Sequence, residues 1–301
     1  MALSYLHYDV FTDQPFTGNQ LAVFLDGRGL STERMQALAR EMNFAESTFI
    51  LPADTPGTQV RMRIFTPAAE LPMAGHPTIG STFALAHVGA IKTGAARFVF
   101  GLNIGPVPVD LEWDEGALRF AWMTQLNPTF GSAIQARRDV AAAIGLTEAD
   151  LLADRPIQEV SCGLPFLIVP IRSPEAVDRA VSNASAFRRF TESSGIDLPM
   201  FFFAMSRAGA AETVHSRMFA PGFGIVEDPA TGSASGPLGC YLLRHGLLAA
   251  DGATRIVSLQ GAAMGRPSRI HVDISSREGE ITQVKVGGRA VLVASGEVVA
   301  A

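Results

Sequence analysis

The amino-acid sequence predicts an α+β protein assembled from two copies of one folding unit. Three observations carry that expectation. Two short motifs recur in the same order at about half the chain length, apolar residues mostly follow strand patterning, and helical patterning is confined to a few segments. In the first motif, Arg63-Ile64-Phe65-Thr66-Pro67 returns 154 residues on (63 to 217) as Arg217-Met218-Phe219-Ala220-Pro221. In the second, His76-Pro77-Thr78-Ile79-Gly80-Ser81 aligns 152 residues on (76 to 228) with Asp228-Pro229-Ala230-Thr231-Gly232-Ser233, sharing Pro, Gly and Ser. A small gap reconciles the two offsets.

Length and composition agree with a duplicated, well-packed protein. At roughly 150 residues per domain, 301 residues make two lobes. The boundary is expected within 128–136, giving an N-terminal lobe over 1–128 and a C-terminal lobe over 129–288. A last strand, over about 289–301, is expected to return to the first lobe. The chain is 48% apolar and 18% charged, against about 25% charged for an average protein. Net charge is −5 and no Lys/Arg block occurs, which argues against nucleic acid and anionic membrane as partners. No run approaches the roughly 18 to 20 apolar residues that span a bilayer. The start, MALSYLHYDVF, lacks a basic segment followed by a long apolar one. Two cysteines, Cys162 and Cys240, make no disulfide framework, so a reduced, cytoplasmic protein is expected.

Each copy passes from an extended apolar stretch, through a loop, into a helix. Pro77 and Pro229 suit a first helical turn, where a missing N–H costs little. That puts His76 and Asp228 at or beside the N-caps. The first helix is expected over 77–88, stopped by Gly89, and the second over 229–244, stopped by Gly246. The second contains Gly232, Gly236 and Gly239 with Pro237 inside it. It therefore needs a later start or a bend, and close enclosure by other backbone. Elsewhere, Thr17-Gly18-Asn19 turns into a strand over 21–25. Ser31 caps a helix whose Met35, Leu38, Ala39 and Met42 share one face, and residues 44–51 follow as a strand. Further strands are expected over 59–65, 96–100, 118–122, 166–171, 201–204, 270–274, 281–286 and 290–299. Residues 139–144 read as a helix, as do 174–181 after a Ser173 cap.

Few residues can carry chemistry. On a strand, Glu46 shares a face with Phe44, Thr48 and Ile50. A carboxyl desolvated among such groups is fitted to move protons near neutral pH, whereas one on an edge simply points at water. His76 and Asp228 hold matching places in the second motif, as do Ser81 and Ser233. If the halves face each other, two helix N-termini converge, and their unpaired N–H groups make a site for an anion such as a carboxylate. Singly, Asp before Pro is a common cap and a lone His is commonly structural. Other signals fail. Gly232-Ser233-Ala234-Ser235-Gly236 puts Ala234 where a nucleophile elbow needs Ser. The histidines and cysteines lack metal-ligand spacing, so no metal is expected. No glycine-rich phosphate loop follows a strand. Gln260-Gly261 and Gly265-Arg266-Pro267-Ser268 read as a turn, or as an anion contact through Arg266. Asn183-Ala184-Ser185 is a glycosylation pattern only. Cys162 and Cys240 do not occupy matching places in the two copies, so they read as buried spectators rather than a pair of catalytic thiols.

Several motifs together identify a family. They are Asp9-Val10-Phe11-Thr12, Thr17-Gly18-Asn19, Ala45-Glu46-Ser47-Thr48, Arg63-Ile64-Phe65-Thr66-Pro67 and Ala74-Gly75-His76-Pro77-Thr78. In the second half come Glu227-Asp228-Pro229-Ala230-Thr231-Gly232-Ser233-Ala234, Gln260-Gly261 and Gly265-Arg266-Pro267. Over nearly its whole length the chain resembles the phenazine-biosynthesis isomerase (PhzF-like) family, within the diaminopimelate-epimerase-like fold. The resemblance implies two pseudo-symmetric lobes, each a curved, mostly antiparallel β-sheet or barrel wrapped around a central helix, in a homodimer. It implies an active site between the lobes. There Glu46 would be the general acid/base, His76 and Asp228 would assist the proton, and Gly75, Gly232 and Ser233 would contact a small anionic substrate. It also implies isomerisation by proton transfer between carbons of a small carboxylate, with neither metal nor cofactor. The alternatives are an amino-acid-type racemase or epimerase, or a non-catalytic small-molecule-binding relative.

Overall fold

The repeated Arg-x-Phe-x-Pro motif marks a cluster that occurs once in each half of the chain. Arg63 donates through Nε and Nη2 to Glu70 Oε1 and Oε2 at 2.8 and 2.6 Å, and its guanidinium lies 5.1 Å over the Phe65 ring. Arg217 does the same with Glu227, at 2.7 and 2.8 Å, 4.9 Å over Phe219. A strand puts residues i and i+2 on one face, so Arg and Phe stack while the next strand supplies the Glu. The computed structural model describes residues 2–249 and 252–299. It divides into two units, Met1–Thr124 with Lys285–Ala301, and Gln125–Val284.

In chain order the first unit contains β1 (Ala2–Val10), β2 (Asn19–Phe24), α1 (Thr32–Met42), β3 (Glu46–Pro52), β4 (Val60–Phe65), β5 (Glu70–Leu71), α2 (Gly75–His87), β6 (Arg97–Leu102), β7 (Gly105–Asp114) and β8 (Ala117–Gln125). The second contains β9 (Thr129–Ile134), α3 (Arg137–Ala143), β10 (Ile157–Ser161), β11 (Pro165–Pro170), α4 (Pro174–Arg179), α5 (Ala184–Ser194), β12 (Met200–Met205), β13 (Val214–Ala220), β14 (Ile225–Asp228), α6 (Gly232–Arg244), β15 (Ala253–Gln260) and β16 (Ser268–Arg277). Then follow β17 (Glu280–Gly288) and β18 (Ala290–Val299).

Each unit is a mostly antiparallel sheet with two parallel steps. In the first, β18 and β2 flank β1 antiparallel, β2 runs parallel to β3, and β4 runs parallel to β6. In the second, the parallel steps are β11 to β12 and β13 to β15. One face of each sheet is covered by amphipathic helices. Met35, Leu38 and Ala39 of α1 pack with Phe24, Phe49 and Phe65, while α3, α4 and α5 bury Val140, Val177 and Phe190 with Phe202 and Phe219. The other face holds a helix buried nearly all round, α2 against β1, β2 and β3, and α6 against β10, β11 and β16. Small residues permit this enclosure. A Cβ on Gly80 would fall 2.5 Å from Leu21 and 2.7 Å from Val10, and one on Gly239 would fall 2.7 Å from Ile274. No helix among the described residues is long and apolar enough to cross a membrane.

Ser31 and Ser173 cap α1 and α4 as the sequence predicts. Two helix starts differ from expectation, and further elements form where none was expected. The stretch 128–136, where the boundary was expected, contains β9, paired with β10. Residues 184–194 form a helix capped by Asn183, whose side chain accepts from Ala186 N. The helix α2 starts at Gly75, two residues before Pro77, with His76 already inside it. In turn α6 starts at Gly232, leaving Asp228 at the end of β14, and it keeps Pro237 in its interior.

These starts change the register of the repeat. Gly75–His87 and Gly232–Arg244 correspond at 157 residues (75 to 232), not 152. Side-chain bonds repeat at the same distance: Thr78 Oγ1 donates to Ala74 O at 2.8 Å, and Ser235 Oγ donates to Thr231 O at 3.0 Å. The positional partner of His76 is therefore Ser233, and that of Gly75 is Gly232. Asp228 matches Leu71, which carries no acid. Ser81 is deep in α2, 2.9 Å from Thr48 Oγ1. The sequence alignment slips because the second copy inserts a 3₁₀ turn, Pro221–Phe223, before β14.

The two Arg clusters differ in burial, and their energetics should follow. The side chain of Arg217 is 8% exposed and that of Arg63 is 18% exposed. Arg217 Nη1 also donates to the carbonyls of Val177, Asp178 and Ala180 at 2.9, 3.1 and 2.8 Å. Arg217→Ala is expected to cost about 3–5 kcal/mol by urea unfolding, since it strands Glu227 and three carbonyls. Arg63→Ala is expected to cost about 1 kcal/mol; equal losses would contradict this reading.

Candidate active site

The first unit brings Glu46 to His76. Parallel pairing sets Leu21 of β2 beside Glu46, the first residue of β3. Strand alternation then turns Glu46, Thr48 and Ile50 to the α2 side, where Thr48 meets Ser81. Starting α2 at Gly75 points the His76 ring back at the strands. Its Nδ1 is 3.1 Å from Glu46 Oε2, with the two side chains 4% and 13% exposed. Asn19 Nδ2 lies 3.2 Å from the same ring nitrogen. Burial holds the imidazole down to about 3, only partly opposed by a main-chain hydrogen bond at Gln20. His76 is therefore neutral at pH 7.

A neutral imidazole has one ring proton and two places for it. On Nδ1, the proton is donated to the Glu46 carboxylate. On Nε2, it leaves Nδ1 to accept from the Asn19 amide or from a protonated Glu46. The pair can thus serve Glu46 in both of its protonation states. Nε2 itself is buried without a hydrogen-bond partner among the described residues. A buried ring nitrogen left so is a polar contact held open at the start of α2.

The second unit builds a tight acidic turn in front of α6. Thr231 Oγ1 donates to Asp228 Oδ2 at 2.5 Å, and Asp228 is buried. Gln260, fully buried, closes the turn. Its Nε2 donates to Asp228 O at 2.8 Å and to Thr231 Oγ1 at 2.9 Å, while its Oε1 accepts from Thr231 N at 2.9 Å. Gly261, at φ +75°, makes this possible. A Cβ there would fall 2.4 Å from Arg266 O and 2.5 Å from Pro229 O. The N–H groups of Ala234 and Ser235 bond Thr231 O at 3.1 and 3.2 Å. Those of Gly232 and Ser233 precede the first intrahelical bonds and suit an anion.

The predicted residues thus form two groups. Glu46, Gly75 and His76 gather in the first unit, and Asp228, Gly232 and Ser233 in the second. Thr231 and the Gln260 clamp went unread in the sequence, as did Asn19 beside His76. The signal available was Gln260-Gly261 at the end of a strand, followed by a second glycine at position 265. Those glycines bracket a 3₁₀ turn, with Arg266 N bonded back to Gly261 O at 3.0 Å. Cys162 and Cys240 lie in one unit, buried, with Sγ atoms 3.9 Å apart. The neighbouring thiol and burial push the Cys240 thiol far up, which unfits it for proton transfer. Two surface cavities of the second unit, about 470 and 360 Å³, are lined by none of the candidate residues. Among the described residues no three His, Cys, Asp or Glu side chains gather as a metal site.

Comparison with known proteins identifies the family. The sequence profile of the family described as phenazine biosynthesis-like protein matches residues 8–296. The trans-2,3-dihydro-3-hydroxyanthranilate isomerase of Pseudomonas aeruginosa is 37% identical, covering 97% of this chain and 98% of that one. An uncharacterized isomerase of Mesorhizobium japonicum is 36% identical over 98% of both chains. The crystal structure of a PhzF-family phenazine biosynthesis protein from Bacillus anthracis superposes with a TM-score of 0.90 at 28% identity, covering 100% of each chain. A probable proline racemase from Agrobacterium radiobacter, at 12% identity and a TM-score of 0.67 over 99% of this chain and 93% of that one, shares the fold. With its two sheet-and-helix units and matches along nearly its whole length, the chain belongs to the phenazine biosynthesis-like protein family and is an isomerase.

Proposed function

We propose that this isomerase moves a proton between two carbons of a small carboxylate substrate by general acid–base catalysis, without a cofactor, and that Glu46 carries the proton. The observation that supports the reading is the buried contact of 3.1 Å between Glu46 and a neutral imidazole. As a carboxylate, Glu46 removes a proton from a C–H next to a π system, and the electron pair spreads into that system. The same carboxyl then delivers the proton to another carbon, so no electrons enter or leave. His76 stays neutral, and its Nδ1 meets the carboxylate as a donor or the carboxylic acid as an acceptor according to the tautomer the ring holds. Positioned acid–base catalysis contributes about 10²- to 10⁴-fold, and orientation with exclusion of water must add the rest.

Gly75, His76, Asp228, Gly232 and Ser233 are the proposed substrate contacts. The N–H groups at the start of α6 suit the substrate carboxylate, and the Asp228 carboxyl suits a donor such as an amine or hydroxyl. The relatives named for trans-2,3-dihydro-3-hydroxyanthranilate make that unsaturated amino acid the first substrate to try. A cytoplasmic homodimer is the proposed setting. A thiol-based racemase is disfavoured, because both sulfurs are buried against each other in one unit.

Two outcomes test the acid–base pair. Glu46→Gln is expected to fold normally and to lose about 10²- to 10⁴-fold in turnover, read as deuterium entering carbon positions in deuterated water. Activity equal to wild type would remove Glu46 from the mechanism, and binding without any exchange in wild type would favour a non-catalytic relative. The second outcome follows from linkage. The unfolded imidazole binds a proton below about pH 6.5, whereas folded His76 binds one only near 3. Stability is therefore full above 6.5 and falls as pH drops from 6.5 toward 3, by up to about 1.4 kcal/mol per pH unit. His76→Asn is expected to flatten the stability–pH slope by that amount in this window; unchanged slopes would mean the imidazole titrates normally.

A further inference from the structure

The Gln260 amide has a determined orientation. Thr231 N–H can only donate, so it must face Oε1, and the Asp228 carbonyl can only accept, so it must face Nε2. The same Nε2 donates into Thr231 Oγ1 at 2.9 Å. With a donor arriving at that oxygen, the Thr231 hydroxyl proton is driven to its other close partner, Asp228 Oδ2, at 2.5 Å. Asp228 then accepts a short, charge-assisted bond at that oxygen, as an ionised carboxyl does. Remove the Gln260 donor and the hydroxyl can rotate, turning a lone pair toward Asp228 instead.

We propose that Gln260 is a positioning residue that acts through Thr231, fixing the direction of its hydroxyl proton so that Asp228 is held as an ionised acceptor. This rests on the proposed part of Asp228 in substrate binding only for its consequence in catalysis. The relay itself is a property of the second unit and can be read without substrate. Gln260 touches no reacting atom on this view. Its effect reaches the chemistry only through the charge state and aim of the Asp228 carboxyl.

The test is carboxyl-carbon NMR of protein labelled with ¹³C-aspartate, following the Asp228 signal against pH and identifying it by its loss in Asp228→Asn. Thr231→Val and Gln260→Met are each expected to raise the Asp228 titration midpoint by up to roughly one pH unit, since the first removes the donated proton and the second no longer holds it toward the carboxyl. Thr231→Ser, which keeps the hydroxyl, is expected to restore the wild-type midpoint. In the Thr231→Val background, Gln260→Met is expected to add no further shift, because the route through the hydroxyl is already gone. If Gln260→Met does not fold, Gln260→Asn takes its place, its amide one methylene short of Thr231 Oγ1. An unmoved midpoint in Thr231→Val, or additive shifts in the double variant, would overturn the relay. Either result can arise whether or not Glu46→Gln loses turnover, so the two readings fail separately.

Discussion

Desolvation of His76 is the constraint on which the proposed chemistry depends. A protonated imidazole 3.1 Å from Glu46 would tie the carboxylate into a buried ion pair, and an ion pair resists giving up or taking a proton. Burial keeps the ring neutral, so the same contact becomes a hydrogen bond that Glu46 can use in either state. The strands around α2 enforce this. They approach so closely that Gly80 has no room for a Cβ, and His76 itself is buried.

The two halves keep one scaffold, and the residues of the proposed chemistry are divided between them. Both retain the Arg–Phe–Glu cluster, the parallel steps at matching strands, and a hydroxyl bonded back to the N-cap carbonyl of the central helix. The positions proposed to carry function have diverged. Glu46 opens β3 beside Leu21, and its counterpart Met200 opens β12 beside Leu167. His76 is matched by Ser233, and Asp228 by Leu71. On the proposed mechanism one copy supplies an acid–base pair, and the other a helix start with a clamped carboxyl. Structural residues are shared because each unit must bury its own helix; the residues proposed to react are not.

Much of this was legible from residue types and spacing. Duplication, the α+β class, the Ser31 and Ser173 caps and the close enclosure of α6 all follow from local chemistry. Glu46 and His76 were readable as candidates, and their contact was not, because it depends on where α2 begins. Pro77 suggests a start at 77, but the extended Ala74 and packing against β1 and β2 carry the helix back to Gly75. The register of the repeat failed for a related reason. Pro-x-x-Gly-Ser is common to both motifs by composition, yet the inserted turn at 221–223 displaces α6 along the sequence. Gln260 was hidden because its partners are main-chain groups of a distant turn, which leave no pattern in spacing.

The most direct test is ¹⁵N NMR of histidine-labelled protein, following the two ring nitrogens of His76 from pH 8 down to 5. One protonated and one bare nitrogen throughout, with no titration in that range, is the expected result for a ring buried against Glu46. Two protonated nitrogens at neutral pH would reveal an imidazolium and contradict the account of how Glu46 is kept able to exchange its proton.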